Sequence, residues 1–130
     1  MMQVTEDNTL NIETLKKRSD FLRVASVRKK WVTPAMIIQV APRVSDAKDD
    51  LQVGYTASKK VGNAVARSRA KRLMREVVQN CFGSCASQNH DYVIIARQEI
   101  LTYAFDQLIR DLKWALKRLH VTSKDKKEGA

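Results

Sequence analysis

Two cysteines and two histidines are the whole supply of thiolate and imidazole in this 130-residue chain. Cys81 and Cys85 stand one helical turn apart, while His90 and His120 lie far from each other near the ends of predicted elements. Two ligands and one neighbouring histidine do not complete a zinc site. Two cysteines also build no disulfide framework and suit a reducing compartment. No paired carboxylates, nucleophile elbow or acid–base constellation stands out, which argues against a self-contained catalytic site. No apolar run reaches the about 18 residues of a membrane span. The opening stretch MMQVTEDNTLNIETL lacks the apolar segment of a signal peptide. The expectation is a cytoplasmic protein.

Acidic residues are scarce as well: 14 Asp and Glu face 24 Lys and Arg, for a formal net charge of +10. The excess is clustered. Residues 15–30 carry seven basic side chains and one acidic, and residues 58–76 carry the same, so each segment holds +6 and the rest of the chain is slightly negative. Solubility does not require clustering. Concentrated positive charge fits a polyanionic partner, because neutralising phosphates releases counterions. Hydrophobic residues make up 44% of the chain, enough for one modest core.

Residues 1–14 read as a polar, mobile lead-in and residues 121–130 as a polar, frayed tail, with a single domain over 15–120. Within it, Thr14 to Lys30 has helical spacing of apolar residues, with Lys and Arg interleaved. Trp31–Val40 predicts a strand, with Pro34 at an edge or near its start. Leu51–Ala57 predicts a second strand, and the short connection between the two suggests an antiparallel hairpin. Gly62 permits unusual dihedrals and Asn63 is a suitable N-cap for a helix from Ala64 to about Cys81, ended by Gly83 and Ser84. A third strand is expected at 91–97 and a last amphipathic helix at about Tyr103–His120. An α+β or α/β sandwich follows, with three main helices and at least three strands.

On a helical wheel, Ala66, Ala70, Leu73, Met74 and Val77 share one face of the central helix, and Arg67, Lys71, Arg72 and Arg75 lie opposite. Lys59 and Lys60 precede the helix, whose N-terminal amides suit phosphate. Pairs such as Arg67–Lys71 and Lys71–Arg75 repel at i, i+4, and only Glu76 is acidic. An anionic partner would relieve that repulsion. A DNA major-groove reader would show Asn or Gln at base-facing positions, whereas this ridge is nearly all Arg and Lys. A membrane-surface helix would carry Trp or Phe on its apolar face, where this one has mostly Ala and Val. An RNA-binding module such as a ribosomal protein shares the charge and size.

Lys59-Lys60-Val61-Gly62-Asn63-Ala64-Val65, followed by Arg67-Ser68-Arg69-Ala70-Lys71-Arg72-Leu73-Met74-Arg75, resembles the signature of the bacterial ribonuclease P protein components. Leu15-Lys16-Lys17 with Ser19-Asp20-Phe21 is similar to that family's opening helix. Val53-Gly54-Tyr55 before Ser58 and Asp91-Tyr92 with Val93–Arg97 resemble its strands. The likeness covers about residues 15–120. The chain departs from the pattern at Ser68, where the family usually has Asn, at Ala25, where a second aromatic often stands, and at Gln39.

The resemblance implies an α+β fold, a small two-layer sandwich with a mixed sheet, about three helices and a split β-α-β crossover of left-handed type. It implies a subunit of an endoribonuclease whose partner RNA performs the chemistry of removing the 5′ leader from precursor tRNA. Mg²⁺ is expected in the holoenzyme, held mainly by the RNA, with no catalytic residue or metal ligand in the protein. Lys59, Lys60, Asn63, Arg67, Ser68, Arg69, Lys71, Arg72 and Arg75 would face the catalytic RNA. Lys17, Phe21, Arg28, Lys29 and Lys30 would hold the single-stranded leader of the precursor tRNA, with Phe21 stacking on a base. Phe21 equally suits packing in the core. The protein is expected to be monomeric and not membrane-bound. Trp31 and Trp114 read as packing residues, and Lys113, Lys117 and Arg118 suit the C-terminal dipole of the last helix.

Overall fold

Residues 91–96 are apolar at nearly every position, a pattern suited to a strand covered on both faces. A computed structural model describes residues 12–15, 17–42, 51–85 and 90–129, and in it this strand is the middle of a five-stranded mixed sheet. The strands in chain order are β1 (Ile12–Thr14), β2 (Lys30–Val32), β3 (Met36–Pro42), β4 (Leu51–Ala57) and β5 (His90–Ala96), and their spatial order is β1-β4-β5-β3-β2. β5 runs antiparallel to β3, from Met36↔Ala96 to Pro42↔His90, and parallel to β4, from Gln52↔Asp91 to Ala57↔Ala96. Three α-helices accompany the sheet: α1 (Arg18–Val27), α2 (Ala64–Cys85) and α3 (Phe105–Gly129). The fold is therefore α+β, as expected.

The expected hairpin between the strand at 31–40 and the strand at 51–57 does not form, because β5 lies between β3 and β4. Chain direction is still opposed in that pair, but both members bond to β5 and not to each other. The β4-α2-β5 unit itself joins hydrogen-bonded neighbours, so the pair that is split is β3–β4. The single strand expected over Trp31–Val40 is two strands folded at Pro34 into a tight antiparallel pair, with Trp31 opposite Ile38. Thr33 closes the turn: its amide donates to the Met36 carbonyl at 2.8 Å, its hydroxyl donates to the same carbonyl, and the Met36 amide donates to that hydroxyl.

The first helix is shorter than its sequence pattern. Ile12–Thr14 is drawn into the sheet as a parallel edge strand on β4, and the Leu15 amide continues the pairing with the Val53 carbonyl. At the other end Arg28 adopts a left-handed conformation (φ 65°) and its amide closes on Ala25. The other helices overrun their expected ends. α2 passes through Gly83 to Cys85, the glycine costing only about 1 kcal/mol relative to Ala in a helix. α3 continues past His120 to Gly129, through lysines and a glutamate of good helix propensity. Its start moves from Tyr103 to Phe105, because Ile100–Thr102 forms a separate 3₁₀ turn. No helix among the described residues is long and apolar enough to cross a membrane.

Period-two alternation sends Met36, Ile38, Val40, Val53, Tyr55, Tyr92, Ile94 and Ala96 to one face of the sheet, where α2 and α3 cover them. Ala41 and Val93 point to the other face, against Val24 of α1 and Leu15. The sandwich of sheet with α2 and α3 thus gains a third, smaller layer. At the edge of the main core, Arg118 places its guanidinium carbon 5.6 Å from the ring centroids of both Trp31 and Trp114.

On the smaller face, Gly54 makes room for Phe21: a Cβ built on Gly54 would lie 2.6 Å from two ring carbons of Phe21. Gly54→Ala should therefore destabilise the protein by about 1–3 kcal/mol in urea unfolding. The cost should shrink in a Phe21→Ala background, where the clash is gone. Nearby, Arg23 pairs with Asp91, which is 2% exposed, and donates to the Pro42 carbonyl at 3.0 Å. Arg23→Ala should cost about 2–3 kcal/mol, less than a wholly buried pair because the arginine side chain is a quarter exposed.

Candidate nucleic-acid interface

α2 begins where the chain leaves β4 through a turn closed by amides of Val61 and Gly62 on the carbonyls of Ser58 and Lys59. Gly62 has φ 148°, and a Cβ there would lie 2.7 Å from Ala66. Asn63 caps the helix as expected, its Oδ1 accepting from the Ala66 amide at 2.9 Å. Of the residues expected to face RNA, Asn63 thus commits its side-chain oxygen to the fold. Lys59 and Lys60 are exposed in the turn.

Ala70, Met74, Val77, Val78 and Cys81 anchor α2 in the core. Ser68, Arg69, Arg72 and Arg75 are exposed, with Arg67 and Lys71 half-buried on one flank. The ridge is therefore present but not uniform. Arg67 turns back and donates to the Gly62 carbonyl at 3.1 Å, stiffening the start of the helix. Arg75 places its guanidinium carbon 5.4 Å from the centroid of the Tyr55 ring. Burial pushes the Tyr55 phenol up to about 12 against the opposing pull of Arg75, so it carries no charge near neutral pH. Arg69 and Arg72 lie on the opposite flank. There they line an open cavity of about 280 Å³ with Leu73, Glu76, Leu101 and Tyr103. The Tyr103 hydroxyl donates to Asp111 at 2.9 Å, and Gln107 donates to the other oxygen of the same carboxylate at 3.0 Å. Desolvation, then the Asp111 hydrogen bond and charge, raise the Tyr103 phenol above its ordinary range.

The residues expected to hold a leader divide along α1. Lys17 is exposed at the helix start, and Phe21 sits half-buried one turn on, over Gly54 of β4. Arg28 and Lys30 are exposed and Lys29 half-buried at the far end of the helix, which at ten residues spans about 15 Å. Phe21 has both of the roles open to it: its ring packs toward the Val24 and Val93 cluster, yet it is only partly covered. His90 adds little charge here, since burial and then Lys29 push its imidazole below the ordinary range, with Asp91 opposing.

Sequence reasoning missed three things. Arg23, one of the basic residues of the first segment, turns inward to Asp91. Nothing local marks it, because its partner is distant in the chain. Tyr103 and Leu101 join the basic ridge through the 3₁₀ turn, whose packing on α2 leaves no periodic trace. Most consequential, α1 and α2 lie on opposite faces of the sheet, so the two basic segments do not form one patch. Among the described residues no group of three or more His, Cys, Asp and Glu could hold a metal ion. Cys81 is buried, with Sγ 3.7 Å from the Ile109 carbonyl, and the Cys85 side chain lies outside the described residues.

Comparison with known proteins bears on the family and the fold. The family model described as Ribonuclease P matches residues 11–120. The ribonuclease P protein component of Paramagnetospirillum magneticum is 48% identical over 115 residues, covering 87% of this chain and 86% of the relative. That of Ruegeria pomeroyi is 42% identical over 110 residues, covering 84% and 87%. The ribonuclease P protein of Thermotoga maritima superposes with a TM-score of 0.68 at 25% identity, over 82% of this chain and 96% of that one. The Staphylococcus aureus protein gives 0.65 at 28% identity, over 80% and 92%. An extended family match, close relatives of nearly equal length and a shared fold lead to one conclusion: this chain belongs to the ribonuclease P protein component family.

Proposed function

We propose that this protein is the subunit of a ribonuclease P ribonucleoprotein that assists a catalytic RNA in removing the 5′ leader from precursor tRNA. The observation that carries this reading is the placement of the two +6 segments on opposite faces of one sheet. One basic surface can then engage the catalytic RNA while the other engages a second nucleic acid. The α2 surface, with Arg69, Arg72 and Arg75 exposed, suits the folded RNA partner, because arginine forks read phosphate geometry. The α1 surface suits a single strand. It offers Lys17 beside a partly covered aromatic ring, and Arg28 to Lys30 farther along the same helix.

In this reading the RNA supplies the catalytic chemistry with bound Mg²⁺, and the protein positions the leader. The leader contacts are sequence-tolerant, since stacking and phosphate neutralisation accept any base. The protein acts as a monomer in the bacterial cytoplasm.

The test combines the protein with its cognate RNA and a precursor tRNA at low magnesium. The mixture should cut once at the mature 5′ end, while RNA alone is slow and protein alone is inactive. Protein that leaves cleavage unchanged would remove the reading. Arg72→Ala should weaken binding to the catalytic RNA, and every phosphate left without its cation should flatten the log–log salt dependence by about 0.7–0.9. Lys30→Ala should instead weaken binding of leader-bearing precursor while leaving the affinity for mature tRNA unchanged, as read by competition in the assembled holoenzyme.

A further inference from the structure

The basic ridge contains one residue that opposes its purpose. Glu76 is the only acid in residues 58–76, it is exposed, and it lines the cavity shared by Arg69, Arg72, Leu73, Leu101 and Tyr103. At i, i+4 from Arg72 the carboxylate can temper the repulsion along the helix, but towards phosphate it is unfavourable. A nucleobase can use it, because its edge carries donors as well as acceptors. The cavity holds what such a base needs. Leu73 and Leu101 provide apolar wall, and Tyr103 provides an aromatic ring fixed through its hydroxyl by Asp111. At about 280 Å³ it suits a single base better than a larger ligand.

We propose that this cavity receives one unstacked guanine of the RNA bound along α2. The inference rests on the reading that α2 faces RNA, and it specifies what that face recognises. Guanine can satisfy both the acid and a base of the cavity. Its N1–H and N2–H donors match the two oxygens of Glu76, and its O6 and N7 acceptors match an arginine fork from Arg69 or Arg72. Adenine and cytosine offer the carboxylate only an exocyclic amine, and uracil only one ring N–H. Unstacked bases in folded RNA are recognised in this way, by an aromatic surface together with hydrogen bonds to the base edge.

The signs of two substitutions separate this site from a purely electrostatic surface. Removing an acid from a phosphate-binding face should tighten RNA binding. Removal of the guanine acceptor should loosen it. Glu76→Ala is therefore expected to weaken binding of the catalytic RNA several-fold, and Tyr103→Ala about tenfold through the absence of stacking, both with the salt slope unchanged. Tyr103→Phe, which keeps the ring, should bind within about twofold of the unaltered protein, since it loses only the hydrogen bond to Asp111. Kethoxal, which modifies unpaired guanine at N1 and N2, gives a direct readout. One guanine of the RNA should be protected by the unaltered protein and by Tyr103→Phe, and exposed again by Glu76→Ala. Glu76 is at the surface, so that variant reports even if Tyr103→Ala does not fold. If the complex forms and stimulates cleavage but no guanine is protected, or if Glu76→Ala tightens binding, the pocket is not a guanine site and the proposed function stands. If the unaltered protein neither binds the RNA nor stimulates cleavage, both readings fall.

Discussion

The fold depends on the insertion of β5 between two strands that precede it. Seven residue pairs join it to β3 and six to β4, and its side chains feed both cores, Tyr92 and Ile94 on one face and Val93 on the other. A strand buried on both sides has to be apolar at consecutive positions, which is why Tyr92–Ala96 has no polar interruption. Asp91, just before that run, is tolerated in the interior because Arg23 reaches it from α1. The same pair ties the smaller layer to the central strand, so the position of α1, and with it Phe21 and Lys17, follows from where β5 lies.

Local features of this architecture were legible in the sequence. Asn63 caps α2 and Gly62 adopts the dihedral that its neighbours could not. The apolar face of α2 is buried where the helical wheel places it, at Ala70, Met74 and Val77. Pairing order was not legible, because nothing in a strand's own residues states which edge it will occupy. The turn at Pro34 and the edge strand Ile12–Thr14 were hidden for a related reason. Three-residue strands are too short to show alternation, and they exist only because a longer neighbour offers them a free edge. The resemblance pointed to the family, and the structure shows how the charge is arranged.

Within the basic surfaces, charge count is a poor guide to what each residue does. Arg23 stabilises the interior, Arg67 braces the start of its own helix and Arg75 lies against Tyr55, while Arg69 and Arg72 flank a cavity. Five arginines that look alike along the chain are separated by what lies within reach of each guanidinium. That division also limits how freely Lys could replace them, since a point charge neither forks onto a carbonyl and a carboxylate nor lies flat on a ring.

The cation held between Trp31 and Trp114 has an optical consequence. These are the only tryptophans in the chain, and both meet the guanidinium of Arg118 at the seam between β2 and α3. Light absorbed by indole alone is therefore emitted from one corner of the molecule, remote in the chain from the signature helix. A change in that emission reports an altered environment at this seam, where Trp114 is half exposed, and a constant signal on adding RNA shows only that this corner has kept its form.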